Sequence, residues 1–220
     1  MTDLRKKQRE PFFNFTEKAP AALAGVLIAL FFLFGFIPGL INIIAPFTVL
    51  RPLGFVGASL PEQLLSLLGH AFLHGDMMHI LMNAMMITVL GIATVKSARL
   101  KSVSSGRRRS PSLVFLMIFA FGVVAGGLAQ WAWWGLIGAP IGVNAPAAIG
   151  ASGGASALLA TAGWAIGGRD KMLQFAMGWS LINAIMVLIG PFIGLNIAWA
   201  AHIGGFVGGM VICTPLDARE

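Results

Sequence analysis

Residues 21–44 read AALAGVLIALFFLFGFIPGLINII, a run without a single charged side chain. About 20 mainly apolar residues in a helix cross the roughly 30 Å hydrocarbon core of a bilayer, so this run predicts a membrane-spanning helix. Pro38 and Gly39 are expected to bend its end. Basic residues precede the run, as in a signal peptide, but no small-residue cleavage site closes it. We therefore expect the helix to be retained.

Outward from this run, the chain stays apolar. It is 57% hydrophobic and 10% charged over 220 residues, against roughly 25% charged residues in an ordinary soluble domain. Further apolar runs predict membrane-spanning helices at 77–95, 113–134, 150–166, 172–189 and 195–213. The stretch 45–75 is too broken for a span, although 64–72 is expected to form a short interfacial helix before Asp76, a good N-cap. The predicted fold is an all-α, polytopic membrane bundle of six transmembrane helices.

The basic residues predict the orientation of this bundle. Fourteen of the 15 Lys and Arg residues fall on one side of the predicted spans, and only Arg51 falls on the other. By the positive-inside rule, both termini face the cytoplasm. The predicted organisation is a cytoplasmic tail at 1–20, a membrane domain at 21–214 and a second tail at 215–220. The net charge of +7 is explained by topology and not by nucleic-acid binding. Without organelle-targeting features, a bacterial cytoplasmic membrane is the expected location.

Four polar residues of the predicted helices lie at a similar depth. Ser152 and His79 are seventeen residues from the basic residues that end their helices, roughly 25 Å at 1.5 Å per residue. Asn83 is thirteen residues from Lys96, and His202 is thirteen residues from Pro215 at the polar end of the last helix, roughly 20 Å in each case. In a core of about 30 Å, all four lie one to two turns below the outer surface. Ionisable residues at membrane depth usually mark functional sites.

This layer contains the groups needed for acyl transfer. Ser152 opens a predicted helix in Gly150-Ala151-Ser152-Gly153, so its amide is an unpaired donor at a helix N-terminus. A serine hydroxyl needs an adjacent base, and His202 is the base at that depth other than His79. His79 and Asn83 are four residues apart on one helix face, where side-chain donors can stabilise an oxyanion.

These segments resemble the rhomboid family of intramembrane serine proteases. The resemblance rests on Gly150 to Gly153 and on Ala201-His202-Ile203-Gly204-Gly205. It also rests on the spacing of four further residues, which are His70, His74, His79 and Asn83. It covers about residues 21–216. It implies a dyad of Ser152 and His202 without an acid, with an oxyanion hole formed by His79, Asn83 and the Ser152 amide. It also implies transmembrane proteins as substrates, membrane lipids as surroundings, and no cofactor or metal.

Two departures from the family pattern concern the surroundings of this site. Members often carry a Trp-Arg pair in the first outer loop, whereas Leu50 precedes Arg51 here. Many also place an aromatic residue four positions after the serine, against the histidine, whereas this chain has Ser156. His202 is therefore expected to be oriented by other neighbours.

Structural roles and other functions compete with the catalytic interpretation of these residues. Small residues such as Gly153 often serve only helix packing, and Gly204, Gly205, Gly208 and Gly209 are interpreted as packing residues that bring the sixth helix to the fourth. His70 and His74 are expected to hydrogen-bond within the outer loop and not to bind metal. A pseudoprotease that recognises membrane proteins without cutting them is the alternative function, and a transporter is a third. The sequence does not determine the oligomeric state.

Overall fold

The computed structural model describes residues 18–104, 110–194 and 197–217. Within these ranges the chain is all-α, with seven α-helices and two short 3-10 helices. The α-helices are α1 Lys18–Phe36, α2 Pro38–Thr48, α3 Leu60–Gly69, α4 Met77–Ser104, α5 Pro111–Leu136, α6 Ser152–Ile189 and α7 Trp199–Asp217. The 3-10 turns are His70–Phe72 and Gly190–Ile193.

The first apolar run forms two helices where the sequence analysis expected one helix with a bent end. α1 ends at Phe36, and α2 begins at Pro38, which occupies its first position. Proline lacks an N–H and cannot continue the hydrogen-bond pattern of a preceding helix, but it suits the first turn of a new one. The prediction of a single span over 21–44 is therefore corrected to a break at Ile37.

The segment between α2 and α4 carries the predicted short helix in a shifted form. The expected helix at 64–72 is replaced by α3, which starts at Leu60, and by the 3-10 turn that follows it. Ser59 and Glu62 explain the earlier start because they form a reciprocal capping box. Asp76 acts as expected, since its Oδ1 accepts a 2.8 Å hydrogen bond from the amide of His79 in the first turn of α4.

Arg51 ties the loop after α2 to the rest of the protein despite the missing tryptophan before it. Its guanidinium donates a 2.6 Å hydrogen bond to the carbonyl oxygen of Ala145 and lies 5.2 Å from the ring centre of Phe55. Its own carbonyl oxygen accepts a 2.7 Å hydrogen bond from the indole of Trp131. The loop is thus anchored by one cation, two backbone oxygens and a tryptophan that comes from α5.

The chain reverses direction inside α6. Ser152 and Asn183 both hydrogen-bond the ring of His202, although 31 residues of straight helix would separate them by roughly 46 Å. Gly167 and Gly168 have non-helical backbone angles, with φ of +60° at Gly168, where glycine is favoured. The helix therefore consists of two antiparallel arms, a first arm at 152–166 and a second arm at 169–189.

α7 packs between α5 and α6 and has its most extensive contacts with these two helices, while α1 packs on α4. A Cβ at Gly204 would overlap the Cβ of Ala129 on α5, and one at Gly208 would lie 2.7 Å from the Cβ of Ala125. This glycine pair therefore brings α7 to α5. The interpretation that all four glycines bring this helix to the serine-bearing helix is thus wrong for Gly204 and Gly208, which pack on α5.

The described helices fit a protein that is integral to the membrane. Four segments are long and apolar enough to cross a bilayer: Lys18–Phe36, Met77–Ala98, Pro111–Leu136 and Ser152–Phe192. Two shorter apolar helices are Pro38–Thr48 and Trp199–Cys213. Many large apolar side chains on these helices are exposed, as lipid contact requires. The described chain is an all-α polytopic membrane bundle.

Candidate active site

Ser152 and His202 lie in direct contact at the start of two neighbouring helices. Ser152 is the first residue of α6, and His202 is in the first turn of α7. The Ser152 Oγ atom is 2.8 Å from Nε2 of His202, a normal hydrogen-bond distance. The imidazole is buried, whereas Ser152 is partly exposed. A hydroxyl that is accessible on one side and bonded to a buried base on the other can act as a nucleophile.

Close approach of the two helix backbones makes this contact possible. A Cβ at Gly205 would overlap the carbonyl oxygen of Gly153, and one at Gly209 would lie 2.5 Å from the carbonyl oxygen of Ala157. Any larger residue at these positions of α7 would push it away from the first arm of α6. This second glycine pair therefore packs directly against the backbone of the first arm.

The N-terminus of α7 is also held in place by contacts with α5. Gln130 is buried, and its side-chain oxygen accepts a 3.3 Å hydrogen bond from the amide of Ala201. The carbonyl oxygen of Ala201 faces Gly126, where a Cβ would lie only 2.6 Å away. The backbone on the N-terminal side of His202 is therefore held both by a hydrogen bond and by close packing.

His79 and Asn83 meet the turn that precedes Ser152. A Cβ at Gly150 would lie 2.5 Å from Nε2 of His79 and 3.7 Å from Nδ2 of Asn83. Gly150 also has a φ of +119°, which residues other than glycine rarely adopt. Both conformation and space therefore require glycine here. Its amide donates a 2.8 Å hydrogen bond to the carbonyl oxygen of His70, which fixes the turn.

Asn83 contributes a donor that is buried but unused. The side chain is 3% exposed, and Nδ2 has no hydrogen-bond partner among the described residues. An unsatisfied buried donor costs roughly 1–3 kcal/mol, so native proteins keep few of them. The Ser152 amide, at the first position of α6, is likewise among the N–H groups without an acceptor inside the helix. An unpaired side-chain donor thus lies beside the turn that leads to Ser152, and the Ser152 amide opens the helix that follows.

His70 and His74 differ from each other. Nδ1 of His70 lies 2.9 Å from the carbonyl oxygen of Ser66, as expected for a structural residue of the loop. Burial lowers the pKa of His70, which favours the neutral ring. Both ring nitrogens of His74 are buried without a partner among the described residues, and its ring packs edge-on against His79 at 5.0 Å. The expected loop hydrogen bond of the His74 side chain is therefore not found.

Two residues that contact His202 were not among the predicted site residues. Oδ1 of Asn183 lies 2.7 Å from Nδ1 of His202, and the Trp179 ring is 5.5 Å from the imidazole at an angle of 36°. Both come from the second arm of α6. Asn183 is twelve residues from Lys171, roughly 18 Å along a helix, so the depth rule used for the other polar residues would have found it. Trp179 provides the aromatic neighbour that Ser156 cannot.

Comparison with family models identifies a family for this chain. The family model for the Rhomboid domain matches residues 61–218, which is well over half of the chain and includes α4 to α7 and all but the first residue of α3. No curated protein matches the chain significantly. The matched region contains Ser152, His202 and every residue described around them. With this match over the segment that builds the site, the chain belongs to the rhomboid family.

Proposed function

We propose that this protein is an intramembrane serine endopeptidase that cleaves transmembrane segments of other membrane proteins. The observation that carries the proposal is the 2.8 Å contact between Ser152 Oγ and His202 Nε2 at the N-terminus of a helix. Rhomboid family membership supports it, because the family's active members cut substrates within the membrane. In this proposal Ser152 is the nucleophile, and His202 is the general base and then the general acid.

The reaction follows from the positions of these two groups. Ser152 Oγ forms a bond to the carbonyl carbon of the substrate while its proton moves to His202 Nε2. The C–N bond then breaks as Nε2 returns that proton to the leaving nitrogen, which yields a free amine and an ester on Ser152. Water attacks the ester in the same manner, with His202 taking its proton and then giving it to Oγ. The acid product leaves, and the serine is restored.

The negative charge that develops on the carbonyl oxygen requires donors on the other side of the serine. We assign this role to Nδ2 of Asn83, to His79 and to the Ser152 amide. The unpaired state of the buried Asn83 nitrogen supports this assignment, since an arriving oxyanion would satisfy a donor that otherwise has no partner. Removal of one such donor typically lowers kcat by roughly 10²–10³.

We further propose six membrane passages. The two antiparallel arms of α6 make two passages, and α1, α4, α5 and α7 each make one. The basic residues then place both termini in the cytoplasm and the site near the outer face. Substrate would be cut near the outer end of its helix, where its backbone can leave helical hydrogen bonds. A bacterial cytoplasmic membrane is the proposed location.

Labelling with a fluorophosphonate probe, which reacts with activated serines, tests this function without knowledge of the substrate. The purified protein in detergent should be labelled, and the Ser152→Ala and His202→Ala variants should not, while all three keep similar melting temperatures. The same variants should fail to cut a fluorescent single-span reporter. Labelling of Ser152→Ala at the parent's rate would show that Ser152 is not the nucleophile. A folded parent that is neither labelled nor able to cut the reporter would indicate a pseudoprotease.

A further inference from the structure

His202 is held by a hydrogen bond on each of its ring nitrogens. Nε2 contacts Ser152 at 2.8 Å, and Nδ1 contacts the side-chain oxygen of Asn183 at 2.7 Å. Asn183 is 2% exposed, and in the second arm of α6 only Met172 is buried besides it. A polar side chain is therefore buried at one point of an arm that is otherwise largely exposed.

The orientation of the Asn183 amide follows from its second contact. Nδ2 donates a 2.9 Å hydrogen bond to the carbonyl oxygen of Trp179, one turn earlier in the same arm. A carbonyl only accepts, so the nitrogen of the amide must face it, and the amide oxygen must face His202. Since that oxygen also only accepts, Nδ1 of His202 carries the proton. Nε2 is then left with a lone pair for the hydroxyl proton of Ser152.

We propose that Asn183 is the positioning residue of His202, which selects the tautomer that can act as a base and holds the ring toward Ser152. This inference rests on the proposed function. When Nε2 takes the proton of Ser152, the ring becomes a cation and its Nδ1–H remains bonded to Asn183. Hydrogen bonds from a charged donor are about twice as strong as neutral ones, so the contact strengthens as the reaction proceeds.

Trp179 lies against the same imidazole ring as Asn183. It is four residues before Asn183, so both side chains lie on one face of the second arm. Its ring lies 5.5 Å from the imidazole, within the distance at which an aromatic face stabilises a cation. The second arm thus gives His202 an acceptor and an aromatic surface from one helical turn, without a buried carboxylate.

A purely structural role predicts different kinetics from a positioning role. A residue that only anchors the second arm would, when replaced, lower stability and impair substrate binding together. Replacement of a residue that stabilises the imidazolium would instead lower kcat with little change in KM, because the contact gains strength only during proton transfer. The Asn183→Leu variant removes both polar contacts and keeps the number and branching of the side-chain heavy atoms. The Asn183→Asp variant keeps the acceptor and adds a negative charge.

A matched control is the Thr161→Val variant. Thr161 is buried on the first arm and shares a 3.0 Å hydroxyl contact with Thr94 of α4. Its loss removes a buried polar contact between helices nine residues from Ser152, with no effect on the imidazole. Any consequence of deleting a buried polar bond as such should therefore occur in this variant too.

The experiment measures cleavage of the single-span reporter, fluorophosphonate labelling and melting of the protein in detergent. Asn183→Leu should lower kcat and the labelling rate by about 10²-fold, the lower end of general-base effects, with KM changed less than about twofold. Asn183→Asp should retain more activity, and the acidic limb of its kcat/KM profile should move to higher pH because a carboxylate favours the imidazolium. Thr161→Val should keep the parent's kcat.

The two proposals fail in different ways. If the parent cuts, Ser152→Ala does not, and Asn183→Leu keeps kcat within about threefold, only the positioning role is overturned. Equal losses of kcat in Asn183→Leu and Thr161→Val would overturn it as well. Nitrogen NMR of labelled histidine reads the tautomer without any cleavage. A proton on Nδ1 in the parent supports the inference even if no substrate is cut, and a proton on Nε2 overturns it.

Discussion

Substitution of Gly150 by alanine tests whether the position of His79 matters for catalysis. Two separate penalties are expected. The φ of +119° is strained for alanine, and strained backbone of this kind costs roughly 1–3 kcal/mol. In a chain of this size 1 kcal/mol lowers the melting temperature by about 2–4 °C, so a fall of roughly 2–12 °C is expected.

The second penalty falls on the chemistry. The new Cβ would lie 2.5 Å from Nε2 and 2.7 Å from Cε1 of His79, which is closer than real Cβ contacts. The ring of His79 must therefore move away from the turn before Ser152. If His79 donates to the oxyanion, its displacement should lower kcat by roughly 10²–10³, as the loss of one such donor does elsewhere.

Two other glycines provide controls for the two penalties. Gly138 has a φ of +60° with nothing within 4 Å of a Cβ, so Gly138→Ala should show the strain alone. Gly178 lies inside α6 with open space around it, so Gly178→Ala should show neither penalty. The assay is reporter cleavage and melting of the four proteins in one detergent. A Gly150→Ala variant that melts earlier but keeps the parent's kcat would refute the role of His79.

Two further perturbations complete the set. Asn83→Leu should lower kcat by roughly 10²–10³ with a smaller change in KM and no loss of melting temperature, because the removed nitrogen has no partner in the free protein; a variant as active as the parent would exclude Asn83 from the oxyanion hole. Burial lowers the pKa of His74 to about 4, and the nearby His79 adds a smaller effect in the same direction, whereas Asp76 raises the pKa. The unfolded chain binds this proton near pH 6.5, so the stability contributed by neutral His74 is complete above that pH and is lost as the pH falls toward 4. The melting temperature should therefore drop less between pH 7 and pH 5 in His74→Phe than in the parent, and equal drops would contradict this.

The sequence was informative about the site wherever depth along a helix decides position. Helix ends marked by basic or polar segments placed Ser152, His79, Asn83 and His202 in one layer, and the structure brings their side chains together around Gly150 and Ser152. Depth, however, does not determine which neighbour a helix faces. The glycines of α7 show this, since adjacent residues Gly204 and Gly205 point to different helices.

Asn183 shows a second reason why the sequence was insufficient. It was overlooked because an amide in an apolar helix is usually a packing or capping group, although the depth rule that located Asn83 also applies to it. Its contact with His202 also depends on the reversal at Gly168, which brings a residue 31 positions after Ser152 to the same imidazole. The sequence predicts a break between two helices there, but the angle between the arms is a tertiary property.

The chemistry of the residues around His202 follows from their location in a membrane protein. A carboxylate behind the histidine would have to be buried as an ion, at a cost of several kcal/mol unless well paired. The described partners of His202, a hydroxyl and an amide, are both neutral. In the proposed reaction, charge therefore arises only during catalysis, as an imidazolium beside Asn183 and Trp179 and an oxyanion beside Asn83. Groups that stabilise only these charges should affect kcat far more than KM, and this common pattern is what the proposed variants should show.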